Sequence, residues 1–105
     1  MRAETAAKLN PYVCILMRKR NIHSIASLAD RAGLDSHNKG SAVTRKLVVK
    51  QSSHQLSHNR MGPVLRVADA LGVRPSVLME ALWRGALEYD QANNISSFQV
   101  GKWHV

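Results

Sequence analysis

The chain has 105 residues, with 15 lysines and arginines against seven aspartates and glutamates, and a formal net charge of +8 at pH 7. That length suits one compact domain with a single core, not two ordinary domains. A run of about 18 apolar residues is absent, which argues against a membrane-spanning helix. The start lacks the small-residue cleavage pattern of a signal peptide, so we expect a cytoplasmic protein without membrane contact.

The positive charge is confined to one part of the sequence. Residues 1–60 contain 11 basic and three acidic side chains, whereas residues 61–105 contain four of each. A segregated surplus predicts a face that binds a polyanion, and it predicts a different role for the neutral part. The single cysteine, Cys14, cannot form an internal disulfide, and its apolar neighbours predict a buried side chain rather than a reactive thiol.

The first two predicted helices begin and end at residues with clear roles. Asn10 can cap a helix that starts at Pro11, and the cluster "RKR" closes its last turn. That cluster either contacts phosphate or simply complements the helix dipole. Ser24 is a plausible cap for the second helix, which Gly33 ends by adopting a left-handed conformation.

A third helix is predicted over "AVTRKLVVK". Val43 and Leu47 are four residues apart and share its apolar face, so Thr44, Arg45 and Lys46 are expected to point elsewhere. The preceding "DSHNKGS" either extends this helix at its front or forms a polar loop. The following "KQSSHQLSHN" is polar and lacks periodicity, and we predict a loop there.

Two further helices follow, and both carry apolar stripes. One begins between Asn59 and Pro63 and ends at Gly72; the other begins at Pro75 and ends near Asp90. We predict that Met61, Met79 and the helical leucines lie in the core. The stripe of the last helix consists of Val77, Leu78, Leu82 and Leu87.

The last residues, "FQVGKWHV", are predicted to be extended and could form a β-strand. We divide the chain into a domain of residues 1–90 and a tail of residues 91–105. The tail is either a dimerisation arm or a segment that folds back on its own domain. The predicted homodimer interface consists of Trp83, Leu87, Phe98, Val100 and Trp103.

Two segments resemble the lambda-repressor-like helix-turn-helix family, which includes Cro, phage repressors and Xre-type transcriptional regulators. They are "ILMRKRNIHSIASLADRAGL" and "MGPVLRVADALGVRPSVLMEAL", and the resemblance covers about residues 10–82. It implies an all-α, five-helix DNA-binding domain, here followed by an extended tail. The segment from Gly33 to Val43 is longer than the corresponding turn of the family.

The resemblance also implies a function: a cytoplasmic homodimer that binds double-stranded DNA and regulates transcription, as a repressor, through residues of about 24–50. In that family the third helix meets base edges in the major groove. Asn38 and Ser41 could instead cap that helix, as Ser24 caps the second, and the lysines suit phosphate better than bases. The candidate DNA-binding residues are Ser24, His37, Asn38, Lys39, Ser41, Thr44, Arg45, Lys46 and Lys50.

Other functions have weaker support in the residues. An antitoxin-like module, with a protein partner on the neutral half and DNA on the basic half, is the main alternative. His54 and His58 are four residues apart, but no carboxylate or cysteine near them in sequence completes a metal site. No paired carboxylates, phosphate loop or nucleophile elbow occurs, so we expect no enzyme, cofactor or metal. Few aromatic residues argue against a single-strand RNA binder.

Overall fold

The structure is a computed structural model that describes residues 7–34 and 39–98, without the side chains of residues 39–41. This part of the chain is mostly helical, as predicted, and its only β-type pairing is one isolated bridge. The described helices are α1 (Pro11–Lys19), α2 (Ile25–Arg31), α3 (Lys39–Val48), α4 (Ser53–Leu56), α5 (Met61–Leu71) and α6 (Pro75–Ala92).

Asn10 caps α1 and also joins it to α6. Its Oδ1 accepts hydrogen bonds from the backbone N–H groups of Tyr12 (2.9 Å) and Val13 (3.4 Å). Its Nδ2 donates to the carbonyl of Ala81 at 3.1 Å. Gly85 lies beside this carboxamide, and a Cβ at that position would overlap it. The predicted cap is therefore confirmed, and it is a buried contact between two helices.

The predicted ends of α2 and α5 are confirmed as well. Ser24 Oγ accepts a hydrogen bond from the backbone N–H of Ser27 at 3.0 Å. Gly33 follows α2 with φ +69°, and Gly72 caps α5 with φ +68°, both in the left-handed region that glycine tolerates best.

One apolar core receives side chains from α1, α2, α3, α5 and α6. Cys14 belongs to it, as predicted, and burial raises the pKa of its thiol despite the nearby charges of Arg18 and Lys50. The largest fully buried apolar side chains are Leu9, Met17, Ile22, Leu28, Leu47, Leu71 and Leu78.

The predicted loop at residues 50–59 contains a short helix, α4, and that prediction was wrong. Ser52 and Gln55 form a reciprocal capping box: the Ser52 hydroxyl accepts from Gln55 N–H, and the Gln55 side chain accepts from Ser52 N–H. The Ser-x-x-Gln spacing was a readable helix-start signal. The helix count therefore exceeds the predicted five among the described residues.

The predicted core roles of two methionines were wrong. Met61 is 51 % exposed and Met79 is 45 % exposed. Val77 and Leu87, which were placed on the apolar stripe of α6, are exposed too. Leu78 and Leu82 are buried, as predicted, and the buried face of α6 is completed by Gly85, Ala86 and Asp90.

Asp90 is a fully buried carboxylate that connects α6 to α4. It accepts hydrogen bonds from Ser53, from the backbone N–H at 3.2 Å and from the hydroxyl at 2.5 Å. Burial acts to raise the pKa of Asp90, but hydrogen bonds from Ser53 and Ser97 outweigh it and hold that pKa below its usual value. The hydrogen bonds between Ser53 and Asp90 thus hold α4 against α6.

We expect the Asp90→Asn variant to lose about 1–3 kcal/mol of unfolding free energy, because asparagine has one acceptor oxygen in place of two and its NH₂ group cannot accept a hydrogen bond from Ser53. The lowered pKa of Asp90 stabilises the fold above the pKa of the unfolded chain, and that stabilisation is lost as pH falls through the folded-state pKa. In denaturant titrations below about pH 4, the free energy of unfolding should therefore fall more steeply with decreasing pH in the wild type than in the variant.

The exposed Asp69 provides the matched control, because its carboxylate lies on the surface of α5. Asp69→Asn should leave both stability and its pH dependence close to those of the wild type. Equal effects of the two substitutions would contradict the role of the Asp90 hydrogen bonds.

The chain after α6 folds back on its own domain as far as Phe98. The backbone N–H of Ile95 donates to the Asp90 carbonyl at 2.8 Å, and Phe98 N–H donates to Ser53 Oγ at 2.6 Å. The Phe98 ring meets His54 edge-on, with 5.7 Å between centroids. The fold-back alternative therefore describes residues 95–98, and Val100 and Trp103 lie outside the described residues.

Candidate nucleic-acid interface

The connection between α2 and α3 is held by a residue from α5. Arg66 Nη1 donates a hydrogen bond to the Gly33 carbonyl at 3.3 Å, just after the end of α2. Leu34 N–H donates to the Ala29 carbonyl at 2.9 Å, which closes the helix end. Helix α3 then begins at Lys39, so part of "DSHNKGS" extends the helix at its front. Residues 35–38 lie outside the described residues.

Helix α3 packs on the core with a different face from the one predicted. Thr44 is 0 % exposed and Val43 is 39 % exposed, which reverses their expected positions. Leu47 and Val48 complete the buried face, because residues three and four apart lie on one side of a helix. Thr44 Oγ1 has no hydrogen-bond partner among the described residues. Its side chain cannot reach DNA from there, so the prediction for Thr44 was wrong.

The outward face of α3 presents Ala42, Arg45 and Lys46, all exposed. Ala42 lies three and four residues before the two cations, so the three side chains share one surface. An arginine can donate two hydrogen bonds to guanine, and a small apolar side chain fits against the thymine methyl group. Ala42 was not among the candidate DNA-binding residues predicted from the sequence. With Thr44, Leu47 and Val48 as the buried face, helical spacing would have placed Ala42 on the outward face.

The end of α3 is joined to the segment that precedes α1. Leu9 and Val49 form an antiparallel bridge. Asn10 N–H donates to the Val48 carbonyl, and Lys50 N–H donates to the Lys8 carbonyl, each at 2.9 Å. This pairing fixes the end of the helix and places two exposed lysines side by side.

Arg18 on α1 lies near the same end of α3. Its charge and that of Lys50 both act on the Cys14 thiol, where they oppose the rise in pKa that burial causes. Lys8, Arg18 and Lys50, exposed on three segments of the chain, thus form a basic cluster near the C-terminal end of α3. Because these three residues are far apart in sequence, the sequence alone did not predict the cluster.

The remaining cations of the "RKR" cluster lie at the end of α1, in positions that suit the helix dipole. Lys19 is exposed in the last turn. The Arg20 guanidinium lies against Gly72, where an added Cβ would come within 2.8 Å of Cζ. Arg20 therefore packs against the end of α5 rather than beside α3.

The other predicted DNA-binding residues are placed only in part. Ser24 is exposed, and its hydroxyl oxygen is the acceptor that caps α2. Lys39 and Ser41 belong to the first turn of α3, but their side chains are not described. His37 and Asn38 lie outside the described residues. Contact with DNA stays a prediction for all of these.

The predicted dimer residues lie on two elements. Trp83 is half-buried and Leu87 is exposed, and both lie on α6 four residues apart, so they share a face. Phe98 contacts α4 of its own molecule. Within the described part of the chain, α6 therefore carries two of the predicted dimer residues on one face, the exposed Leu87 and the half-buried Trp83.

The histidine pair does not form a metal site among the described residues. His54 Nε2 lies 2.8 Å from the Ser96 carbonyl, as a hydrogen-bond partner, and His58 is exposed. In residues 7–34 and 39–98, no group of three or more potential ligands comes together. The same part of the chain contains no helix with the length and apolarity needed to cross a membrane.

Comparisons of the chain with protein families, curated proteins and solved structures find no match. The resemblance to lambda-repressor-like regulators and the antitoxin-like alternative therefore both stay predictions. The case for a function depends on the residues of this chain and their geometry.

Proposed function

We propose that the protein is a sequence-specific DNA-binding transcriptional regulator that represses by occupying an operator as a homodimer. One observation carries the proposal: α3 buries Thr44, Leu47 and Val48, and so directs Arg45 and Lys46 to solvent after a capped helix and a turn. A helix with this exposed basic face, and with its end anchored, can enter the major groove as a rigid unit.

The three residues of the outward face of α3 each have a role that their chemistry suits. Arg45 donates its paired N–H groups to a guanine edge, and Ala42 contacts a thymine methyl group. Lys46 and the cluster of Lys8, Arg18 and Lys50 bind phosphates on either side, which sets the register but not the sequence preference. Helix α2 crosses the backbone, with Ser24 at its N-terminal end.

Symmetry completes the proposal. Two copies of α3, related by a two-fold axis, would read half-sites about 34 Å apart, one helical turn of DNA. We assign the self-association to the face of α6 that carries the exposed Leu87 and the half-buried Trp83. An occupied operator excludes polymerase, and repression follows.

Selection of bound sites from a random DNA pool tests the proposal as a whole. We expect an inverted repeat whose half-sites are one helical turn apart. If repeated rounds enrich no sequence, the proposal of sequence-specific binding is overturned. Enrichment of a single half-site would overturn the homodimer.

We expect Arg45→Ala to weaken binding to the selected operator by about 1–3 kcal/mol and to relax the preference for one base. The loss should be much smaller on a non-specific duplex, because base contacts contribute only to the cognate site. Fluorescence anisotropy with labelled duplexes measures both affinities.

Arg74→Ala is the matched control, since Arg74 is exposed and precedes α6, outside the α2–α3 region. It removes the same charge and should lower both affinities slightly and equally. Operator affinity of Arg45→Ala equal to that of Arg74→Ala would refute a base contact by Arg45.

A further inference from the structure

An apolar groove lies between α4, α5 and α6. Its volume is about 590 Å³, which is within the range of pockets that bind drug-sized ligands. The exposed Met61 and Met79 both contribute to its walls, so the described residues leave it open to solvent. Other side chains along it are Leu56, Val64, Trp83 and Phe98.

The chain itself leads into this groove. Phe98 lines it, and that residue is held there by the hydrogen bond from its N–H to Ser53 and by the His54 ring. Seven residues follow, "QVGKWHV", with three apolar side chains among them, one of which is a tryptophan. Seven extended residues reach at most about 23 Å, which is enough to run along a groove in a molecule of 39 × 29 × 26 Å.

We propose that residues 99–105 occupy the groove of their own molecule, with Trp103 packed against Met61 and Met79. A tryptophan buries about 150–250 Å² of surface, and thioether sulfurs make favourable contacts with aromatic rings. Tethering at Phe98 gives the tail a high effective concentration at this groove compared with a separate partner. Docking removes two exposed methionines from water and does not depend on DNA binding.

Trp103 fluorescence in the full-length chain tests this placement. The chain has two tryptophans, so a Trp83→Phe background leaves Trp103 as the only one and keeps an aromatic wall in the groove. We expect emission at shorter wavelength and severalfold weaker acrylamide quenching than in the free peptide SSFQVGKWHV. Emission and quenching equal to those of the peptide would overturn the proposal.

Two matched pairs of variants test the site. Met79→Glu and Met61→Glu place a charge in the groove, and both should raise Trp103 quenching towards that of the peptide. Val77→Glu and Leu65→Glu place the same charge at exposed apolar positions of the same helices that do not line the groove. These controls should leave quenching unchanged. Equal effects of Met79→Glu and Val77→Glu on α6, or of Met61→Glu and Leu65→Glu on α5, would overturn the assignment.

A dilution series identifies the molecule that supplies the tail. Docking within one molecule predicts protection of Trp103 that does not depend on protein concentration, including where light scattering shows a monomer. Protection lost as the monomer appears would overturn the proposal and assign the groove to the tail of a second copy. Circular dichroism melting curves verify that the variants compared are folded.

Discussion

Replacing Gly85 with alanine is expected to lower the free energy of unfolding by about 1–3 kcal/mol. The added methyl carbon would overlap the carboxamide of Asn10. That carboxamide cannot move freely, because it caps α1 through Tyr12 and Val13 and also donates to the Ala81 carbonyl of α6. Relief of the overlap breaks the cap, whose loss alone costs about 0.5–2 kcal/mol, or it separates two packed helices.

The sign of this effect distinguishes tertiary packing from helix propensity. In an exposed helix interior, alanine is more favourable than glycine by about 0.8–1 kcal/mol. Gly85 lies in the middle of α6, so propensity alone would predict a more stable protein. The structure predicts the opposite, because the close approach of α1 to α6 requires a residue without Cβ.

Urea denaturation followed by circular dichroism measures the change, and Gly62→Ala is its matched control. Gly62 lies in the first turn of α5, and an added Cβ there meets nothing within 4 Å. That variant should be unchanged or slightly stabilised. A Gly85→Ala protein as stable as Gly62→Ala would refute the packing of Asn10 on α6.

The affinity for operator DNA should fall steeply with salt, roughly as the fifth to seventh power of its concentration if the dimer neutralises about 6–8 phosphates. Between 50 and 200 mM salt, the expected loss is therefore about 10³–10⁴-fold. Each subunit offers Lys46 on α3 and the exposed Lys8, Arg18 and Lys50 near the C-terminal end of that helix, so a dimer has enough cations for this number of phosphates. Binding titrations across this range measure the slope of affinity against salt.

The Lys46→Ala variant tests whether this residue contributes to the salt dependence of affinity. Loss of one phosphate contact per subunit should lower the slope by about one for each copy of α3, with equal weakening on cognate and non-specific duplexes. The Arg74→Ala control should keep the full slope. An affinity that does not change with salt would contradict the proposed function as a whole.

Much of the local structure was predictable from short sequence signals. Asn10, Ser24, Gly33 and Gly72 mark helix ends through hydrogen bonds and backbone conformations that involve only a few neighbouring residues. The same kind of signal, the Ser-x-x-Gln capping box, marks α4, which composition alone had suggested was a loop.

The candidate interface was predictable only in part. Arg45 and Lys46 were identified by residue type and by their place in a helix, and both are exposed. Thr44 and Val43 were assigned to the wrong faces, because an isolated apolar residue does not define a stripe over so short a segment. The cluster of Lys8, Arg18 and Lys50 depends on a backbone pairing that no local pattern announces.

By itself, the sequence determined the helix ends at Asn10, Ser24, Gly33 and Gly72, and which part of the chain carries the charge, because capping, glycine conformation and side-chain charge are local properties. Only the tertiary structure decided which face of each helix is buried. It exposed Met61 and Met79, buried Thr44, and paired Asp90 with Ser53 across 37 positions of sequence. Whether a side chain is buried depends on its contacts with neighbouring helices, and those helices come from distant parts of the sequence.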